Sequence, residues 1–374
     1  MRIAVANSKF ASPHLGGGVT SLLTLLEGLS DERRISVDAF QTPPVEKIDL
    51  SFEYEVHAHE PPSVPVFHWA DGYVSARSWA KYFSENVKDR YDLSVCQGTL
   101  GAIAVNEVDA DASVLFIRSL ISTGYYQYHP DRTHPANFLR ADIGGKLQYP
   151  FVLRNHRLYT KAVENADAVV ANSEFTASKI EELYGVSPEV VYPPISIKDY
   201  ETEHDEDGSI LMVNPRSEYK GGDIFLDIAE SMPDEEFRLV GTAPDTVADR
   251  ADSLGNVTHV EWCEDMREEY SRAKVVVVPS RSEEPFGRVA AEAMVSGIPC
   301  VVSNRGGLPE VVGDLGYKVD EVESVKEWVK GIEDVVGDSR TEERKRRVRE
   351  EFSAEVQVDR FLGIVDDIVE EGVI

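Results

Sequence analysis

Glu284 and Glu292 stand with seven residues between them in Ser282-Glu283-Glu284-Pro285-Phe286-Gly287-Arg288-Val289-Ala290-Ala291-Glu292-Ala293. Pro285 and Gly287 end the preceding apolar run, and the alanine-rich stretch after them predicts a helix. Glu284 then lies in the loop ahead of that helix and Glu292 in its second turn. The N–H groups at a helix start favour an anion. Carboxylates only accept hydrogen bonds, so they suit the hydroxyls of a sugar or a ribose. A nucleotide sugar laid across the segment would rest phosphate on those amides. The alternative is a favourable helix-start position for Glu284 and a solvated Glu292.

Positive charge comes from Asn214-Pro215-Arg216-Ser217-Glu218-Tyr219-Lys220-Gly221-Gly222. A guanidinium and an ammonium four residues apart, at Arg216 and Lys220, suit a diphosphate. The segment directly follows an apolar strand, at the end where an open parallel sheet keeps its ligand crevice. The alternative is a pair of solvated surface cations. Near the start of the chain, Gly16-Gly17-Gly18 join a strand to a helix predicted over residues 19–29. Such glycines let a phosphate or sugar approach the backbone; the alternative is a flexible turn. Neither a Walker loop nor a dinucleotide fingerprint is present.

These segments need strands and helices to hold them. Strands are predicted at residues 2–8, 35–41, 52–58, 91–97, 112–119 and 168–172, then at 210–214, 236–240, 256–262, 274–279 and 299–303. Helices are predicted at 19–29, 75–89, 149–165 and 175–184, then at 222–232, 246–254, 265–273 and 287–296. Runs such as Val275-Val276-Val277-Val278 are apolar throughout, as in parallel strands covered on both faces. The alternation predicts an α/β chain of two Rossmann-like, doubly wound domains. Tyr192-Pro193-Pro194-Ile195 and the acidic run Glu201-Thr202-Glu203-His204-Asp205-Glu206-Asp207 read as a linker, which divides residues 1–195 from residues 196–350. The tail reads as two helices, over residues 341–351 and 356–369. Its cluster Arg344-Lys345-Arg346-Arg347 with Arg349, flanked by glutamates, reads as a solvated, salt-bridged helix face before a phosphate or lipid contact.

At 374 residues and 42% hydrophobic composition the chain can bury two cores. Lysine and arginine number 38 against 67 acids, a net charge of -29. Nucleic acid is excluded as a partner, since a polyanion needs a basic stripe. A large negative charge of this kind suits a high-salt cytoplasm, and a haloarchaeal, halophilic origin is the expectation. No apolar run approaches the ~18 residues that span a bilayer. The first residues read as a strand and not a signal peptide, so the expected location is cytoplasmic, with peripheral attachment at the inner face of the membrane left open. Cys96, Cys263 and Cys300 are too scattered for a metal site or a disulfide framework and read as buried thiols.

The segment from Glu284 to Ser303, with Glu284 and Glu292 at its characteristic spacing, resembles the retaining, GT-B-fold glycosyltransferases of family 4. So do Ala168-Val169-Val170-Ala171-Asn172-Ser173-Glu174-Phe175, Val190-Val191-Tyr192-Pro193-Pro194, the Arg216 to Gly221 loop, the N-terminal glycines and Gly306-Gly307-Leu308-Pro309-Glu310. The resemblance is strong over residues 165–320 and thinner before. It implies two Rossmann-like domains facing a cleft: residues 1–195 on the acceptor side, 196–350 holding the nucleotide sugar, and a C-terminal helix in residues 351–374 returning to the first domain. Arg216 and Lys220 would hold the donor diphosphate, Glu284 the donor sugar, Glu292 the ribose. Backbone at Phe286, Gly287 and Arg288 would support sugar and phosphate, and Gly16 and Gly17 would approach the diphosphate from the first domain. The implied reaction moves a sugar, with retention, to a sugar, lipid-linked or other hydroxyl acceptor. No metal and no cofactor beyond the nucleotide-sugar co-substrate are expected, because two cations and a helix start do the electrostatic work. The chain departs from the family pattern twice. Where many members carry a histidine, Val114-Leu115-Phe116-Ile117-Arg118-Ser119 presents Arg118, the expected substitute; and the Arg216–Lys220 spacing is one residue short of the commonest form.

Three other readings compete with transfer: a nucleotide-sugar epimerase, a phosphorylase-like enzyme on the same fold, and a non-catalytic nucleotide-sugar binding protein. His129, His134 and His156, in a stretch with Tyr125, Tyr126, Tyr128 and Tyr149, read either as an acceptor-holding surface or as loop packing. Ser173 reads as a helix N-cap.

Overall fold

A computed structural model describes residues 1–12, 16–63, 68–119 and 143–371. The chain forms two compact units: Met1–Tyr192 with Val358–Ile374, and Pro193–Gln357.

The first unit is built on seven parallel strands: β1 (Arg2–Ala6), β2 (Ser36–Gln41), β3 (Glu53–Ala58), β4 (Tyr91–Gln97), β5 (Ala110–Ile117), β6 (Ala168–Ala171) and β7 (Glu189–Val190), in the order β3-β2-β1-β4-β5-β6-β7. In β5 every residue from Ala112 to Ile117 is buried, because helices cover both faces. On one face Leu22, Leu25, Leu26 and Leu29 of the helix Gly17–Glu32 pack with Val5, Val95 and Val114. Phe361 and Val365 of the C-terminal helix Ala354–Glu371 belong to the same core, with Phe361 5.8 Å from Phe116. On the other face Trp79, Phe83, Ile103 and Tyr159 pack on Ala4, Leu115 and Val169. The helix Gly98–Glu107, which this second core requires, has a glycine-rich sequence without a clear helical period and escapes sequence reading. Arg2 on β1, Asp38 on β2 and Tyr91 on β4 tie the sheet's middle together, with Asp38 Oδ2 accepting from Arg2 at 2.7 Å and Tyr91 at 2.9 Å. Burial pushes the Asp38 pKa up, but bonds from Arg2, Tyr91 and His57 outweigh it and hold the carboxyl below its usual value. Asp38, Glu55 and His57 bring one ligand-type atom each within 4.8 Å of one another, an arrangement the Arg2 contact already neutralises.

The second unit has six parallel strands: β8 (Ser209–Val213), β9 (Phe237–Val240), β10 (Val257–Val260), β11 (Ala273–Val278), β12 (Cys300–Ser303) and β13 (Tyr317–Val319), in the order β10-β9-β8-β11-β12-β13. The three-residue edge strand β13 was too short for its sequence to announce. Phe225, Phe237, Trp328 and Ile332 fill one core, where the Trp328 indole donates to the Val322 carbonyl at 2.8 Å. The two chain segments that enter and leave this unit are stitched together: Ile195 N–H donates to Phe352 and Ala354 N–H to Ile195.

The basic cluster of the tail differs from expectation. Arg344 is fully buried, pairs with Asp338 at 2.9 Å and donates to the carbonyls of Leu315 and Gly297. Arg347 donates to the carbonyls of Val311 and Glu310 and pairs with Glu351. The helical pattern hid this, because the partners are backbone carbonyls remote in sequence. Cys96 and Cys300 are buried, and burial pushes both thiols up to about 12; Cys263 is only half-buried. Among the described residues, no helix is long and apolar enough to cross a membrane.

Candidate active site

Each sheet reverses its strand order once, between β1 and β4 in the first unit and between β8 and β11 in the second. In open parallel sheets the crevice at the C-terminal ends of those two strands is where ligands bind. In the second unit the loops after β8 and β11 carry Arg216, Lys220 and Glu284.

After β8 the chain turns at Asn214, which holds a left-handed φ of 64°. Arg216 Nε donates to Asn214 Oδ1 at 2.7 Å, and the guanidinium is exposed. A single 3₁₀ turn, Glu218–Lys220, ends on Gly221 with φ 74°. A Cβ there would meet the Pro279 carbonyl at 2.0 Å, so only glycine lets this turn lie against the end of β11. The turn is fastened by Arg281 N–H donating to the Tyr219 carbonyl at 2.7 Å. The Arg281 guanidinium pairs with Asp223 at 2.7 Å and Glu323 at 2.6 Å, which raises its pKa further.

That packing delivers Lys220 to Glu284. Lys220 Nζ donates to Glu284 Oε1 at 2.6 Å, and Ser280 Oγ donates to the same oxygen at 2.8 Å. The two side chains are 32% and 13% exposed, so the pair opens to solvent mainly on the lysine side. Gly306 and Gly307 back the Glu284 loop: Gly307 N–H donates to the Glu284 carbonyl at 2.7 Å, and a Cβ on Gly306 would sit 2.2 Å from that oxygen. The helix Arg288–Val295 starts at Gly287, with φ 111°, just after the buried Phe286.

Glu292 is placed differently from a solvated second-turn carboxylate. It is 8% exposed and accepts from Arg288 Nε at 3.1 Å and from Tyr270 at 3.3 Å, with Tyr200 as a further partner. Burial lifts its pKa, against the opposing pull of Arg288. Arg288 also donates to the Pro194 carbonyl at 3.4 Å. Tyr200 and Tyr270 had no signal in the sequence, since their role depends on which helices meet Arg288–Val295.

In the first unit Gly16 caps the helix Gly17–Glu32 without a side-chain bond, and a Cβ on it would meet no atom of the described residues within 4 Å. Gly18 lies beside Gln97, at the end of β4, and Arg118, just past β5. The Arg118 guanidinium lies over the Phe116 ring at 4.6 Å. The structure therefore joins Lys220 with Glu284, keeps Arg216 in the loop just ahead of Lys220, gathers Glu292 with Arg288, and places Gly16, Gly17 and Arg118 in the other unit. His129, His134, Tyr125, Tyr126 and Tyr128 lie outside the described residues, while His156 stacks on Tyr184 with ring centroids 5.5 Å apart. Ser173 caps its helix, accepting from Thr176 N–H at 3.0 Å.

Comparison with known proteins gives two family matches along the chain. Residues 15–199 match the model of "Glycosyltransferase Family 4" and residues 196–352 that of "Glycosyl transferases group 1". The chain resembles the GT-B glycosyltransferases of family 4. The D-inositol 3-phosphate glycosyltransferase of Corynebacterium aurimucosum is 29% identical over 212 residues, covering 47% of this chain and 50% of that protein. The chain thus spans about half the length of the curated relatives it matches. Among solved structures, sucrose-phosphate synthase from Thermosynechococcus elongatus superposes with a TM-score of 0.75 at 18% identity, covering 99% of both chains. Anabaena HepE, solved with UDP-glucose, gives 0.69 at 18% identity, covering 98% of this chain and 100% of that one. At that identity the two structures speak for the GT-B fold.

Proposed function

We propose that this protein transfers a sugar from a nucleotide-diphosphate donor to a hydroxyl acceptor, a glycan or a lipid-linked sugar, with retention at the anomeric carbon. The observation that carries the proposal is the Lys220–Glu284 pair at the switch point between β8 and β11. A cation and a carboxylate held together there match the two halves of a nucleotide sugar. Lys220 and Arg216 neutralise the charge that grows on the departing diphosphate, and Glu284 grips hydroxyls of the sugar being moved. The amides of Phe286, Gly287 and Arg288 add hydrogen bonds at a helix start. A ribose contact by Glu292 would compete with the 3.3 Å bond it accepts from Tyr270.

Arg118, in the first unit, is a third cation assigned to the reaction, in the place where many family members carry a histidine. The acceptor's proton passes to the departing phosphate oxygen, so no separate protein base is needed, and the two cations supply the role a metal would otherwise take. UDP-glucose in complex with HepE supports trying UDP-sugars first.

The test is to titrate UDP-sugars and GDP-sugars in molar KCl and follow released nucleotide and sugar with and without added acceptors. Nucleotide release that rises with an acceptor, with a new glycoside formed, supports transfer. Isomerised donor with no nucleotide released would replace it with an epimerase, and binding without turnover with a binding protein.

A further inference from the structure

Between the helices Thr341–Arg347 and Ala354–Glu371 the backbone widens into one π-helical stretch, Val348–Phe352. Such stretches are rare and are frequent at functional sites. This one delivers Phe352, fully buried, edge-on to Phe286, with ring centroids 5.3 Å apart and planes at 75°. Phe286 is buried too, two residues after Glu284 and one before the helix start at Gly287. Its backbone also lies against Gly307, where a Cβ would sit 2.9 Å from the Phe286 Cα. Arg347, whose guanidinium lies 5.6 Å over the Phe352 ring, reaches the same loop by a second route. The short helix Leu308–Val312 follows Gly307, and its last carbonyls need donors. Pro309 and Val312 accept from the N–H groups of Gly313 and Leu315. Val311 and Glu310 accept from Arg347, from Nε at 3.0 Å and from Nη2 at 2.8 Å. Leu308, fully buried, is so close to Gly287 that a Cβ there would lie 2.6 Å from Leu308 Cδ2.

We propose that Arg347 and Phe352 are positioning residues of the candidate site: the tail fixes the loop that presents Glu284 and the amides of Phe286, Gly287 and Arg288. Both act through what they touch, Phe352 through Phe286 and Arg347 through the helix Leu308–Val312. The two contacts are directional. An edge-to-face aromatic pair has a preferred angle, and a guanidinium grips two carbonyls with a rigid fork that an ammonium lacks. Glu351 accepts from Nη1 of Arg347 at 2.9 Å, which steadies the fork on its carbonyls. The path to the functional carboxylate is short. Gly307 N–H donates to the Glu284 carbonyl at 2.7 Å, so a displacement of Leu308–Val312 or of Phe286 moves the backbone that carries Glu284. Misplacing a reacting group by about 1 Å can cost on the order of a hundredfold in rate. The expected effect on rate rests on the transfer reading; the effect on the order of the loop does not.

The experiment uses the full chain in molar KCl and three variants: Phe352→Leu, Arg347→Lys and, as a control, Ile332→Ala, a core residue on the helix Val325–Val335. Amide hydrogen exchange is followed by mass spectrometry, and kcat and KM are measured with UDP-glucose and GDP-mannose well below each variant's Tm. In Phe352→Leu and Arg347→Lys, exchange across residues 283–290 is expected to quicken tenfold or more, with β11 as slow as in wild type. Their kcat is expected to fall tenfold or more. Ile332→Ala is expected to lose at least as much Tm, yet to keep slow exchange across residues 283–290 and a kcat within a few-fold of wild type. Unchanged exchange there in both tail variants, the same quickening in the control, or rates that follow Tm alike in all three would overturn the assignment. Quickened exchange with wild-type kcat would also overturn it, since the loop's order would then not matter to turnover. A wild-type protein that turns over neither donor would instead count against the transfer reading, and exchange alone would decide whether the tail orders the loop.

Discussion

Replacing Lys220 separates a ligand-binding lysine from a structural one. In the unliganded protein the ammonium contacts Glu284 at 2.6 Å, and Ser280 also donates to that carboxylate. Lys220→Ala therefore leaves Glu284 with one partner, 13% exposed and close enough to water to adjust. Because the lysine is itself a third exposed, the pair's loss is expected to cost about 1 kcal/mol of stability, near the top of the range for solvent-accessible pairs. Turnover is another matter. If the ammonium neutralises a leaving diphosphate, the charge it meets grows in the transition state, and losing such a contact costs ~3 kcal/mol. That is roughly 150-fold in rate. Urea unfolding and donor turnover, measured on the same preparation, read the two effects separately. Lys220→Arg keeps the charge and should recover part of the rate. A rate within a few-fold of wild type, or a stability loss as large as the loss of transition-state binding, would refute the assignment and make the pair a structural staple.

Other expectations follow from the same geometry. Glu292→Ala should weaken nucleotide-sugar binding by about ten- to a hundredfold, the loss of ~1.5–3 kcal/mol in a charged hydrogen bond; unchanged affinity by calorimetry would remove it from the site. Gly221→Ala should lower both Tm and activity, because a Cβ would press within 2.0 Å of the Pro279 carbonyl; a neutral result would mean the turn relaxes freely. Arg340 holds Asp338 at a pKa of about 2, with Arg344 adding to the pull. A depressed carboxylate contributes stability fully above its unfolded value and loses it as pH falls through the folded one. Asp338→Asn should therefore lower stability at pH 7 by on the order of 1–2 kcal/mol and flatten its pH dependence between about 4 and 2; parallel acid-unfolding curves would count against this. With a net charge of -29, Tm should rise from dilute buffer to molar KCl as self-repulsion is screened, and a flat or falling Tm would remove the halophilic expectation.

The parallel sheets were legible because their strands are apolar on both faces. Val275–Val278 and Ala168–Ala171 read as covered strands from their apolar runs alone; both lie in parallel strands, with Val275–Val277 and all of Ala168–Ala171 buried. Short edge pieces were not: β7 and β13 have two and three residues, too few for a period. In the candidate site, Lys220 and Glu284 announced themselves through charge type, spacing and a glycine- or proline-marked loop after a strand. Ser280, Tyr200 and Tyr270 did not. Their significance lies in what they touch, and those partners are set by packing between elements far apart in sequence. The same reason turned Glu292 from an expected open carboxylate into one enclosed by Arg288 and two tyrosines.

The charge pattern explains how a chain so acidic can keep a site for a polyanion. In the second unit most arginines are committed to carboxylates in the structure: Arg238 to Glu269, Arg281 to Asp223 and Glu323, Arg288 to Glu292, Arg344 to Asp338. Arg216 is not; its bond is to the neutral amide of Asn214, and among the described residues no carboxylate lies within ion-pair distance of it. Lys220 has one acid partner, and that partner is the carboxylate the proposal assigns to sugar hydroxyls. A diphosphate arriving there meets one uncompensated cation and one whose counter-charge gains hydroxyl donors as it gives up the ammonium. Exchange of that kind lowers the cost of breaking the Lys220–Glu284 contact. It also makes the two halves of the donor interdependent: UDP alone would draw the lysine away and leave Glu284 with less than it had. Lys220→Ala should then reduce affinity for UDP-glucose more than for UDP, and equal losses for the two would show that phosphate and sugar are bound independently.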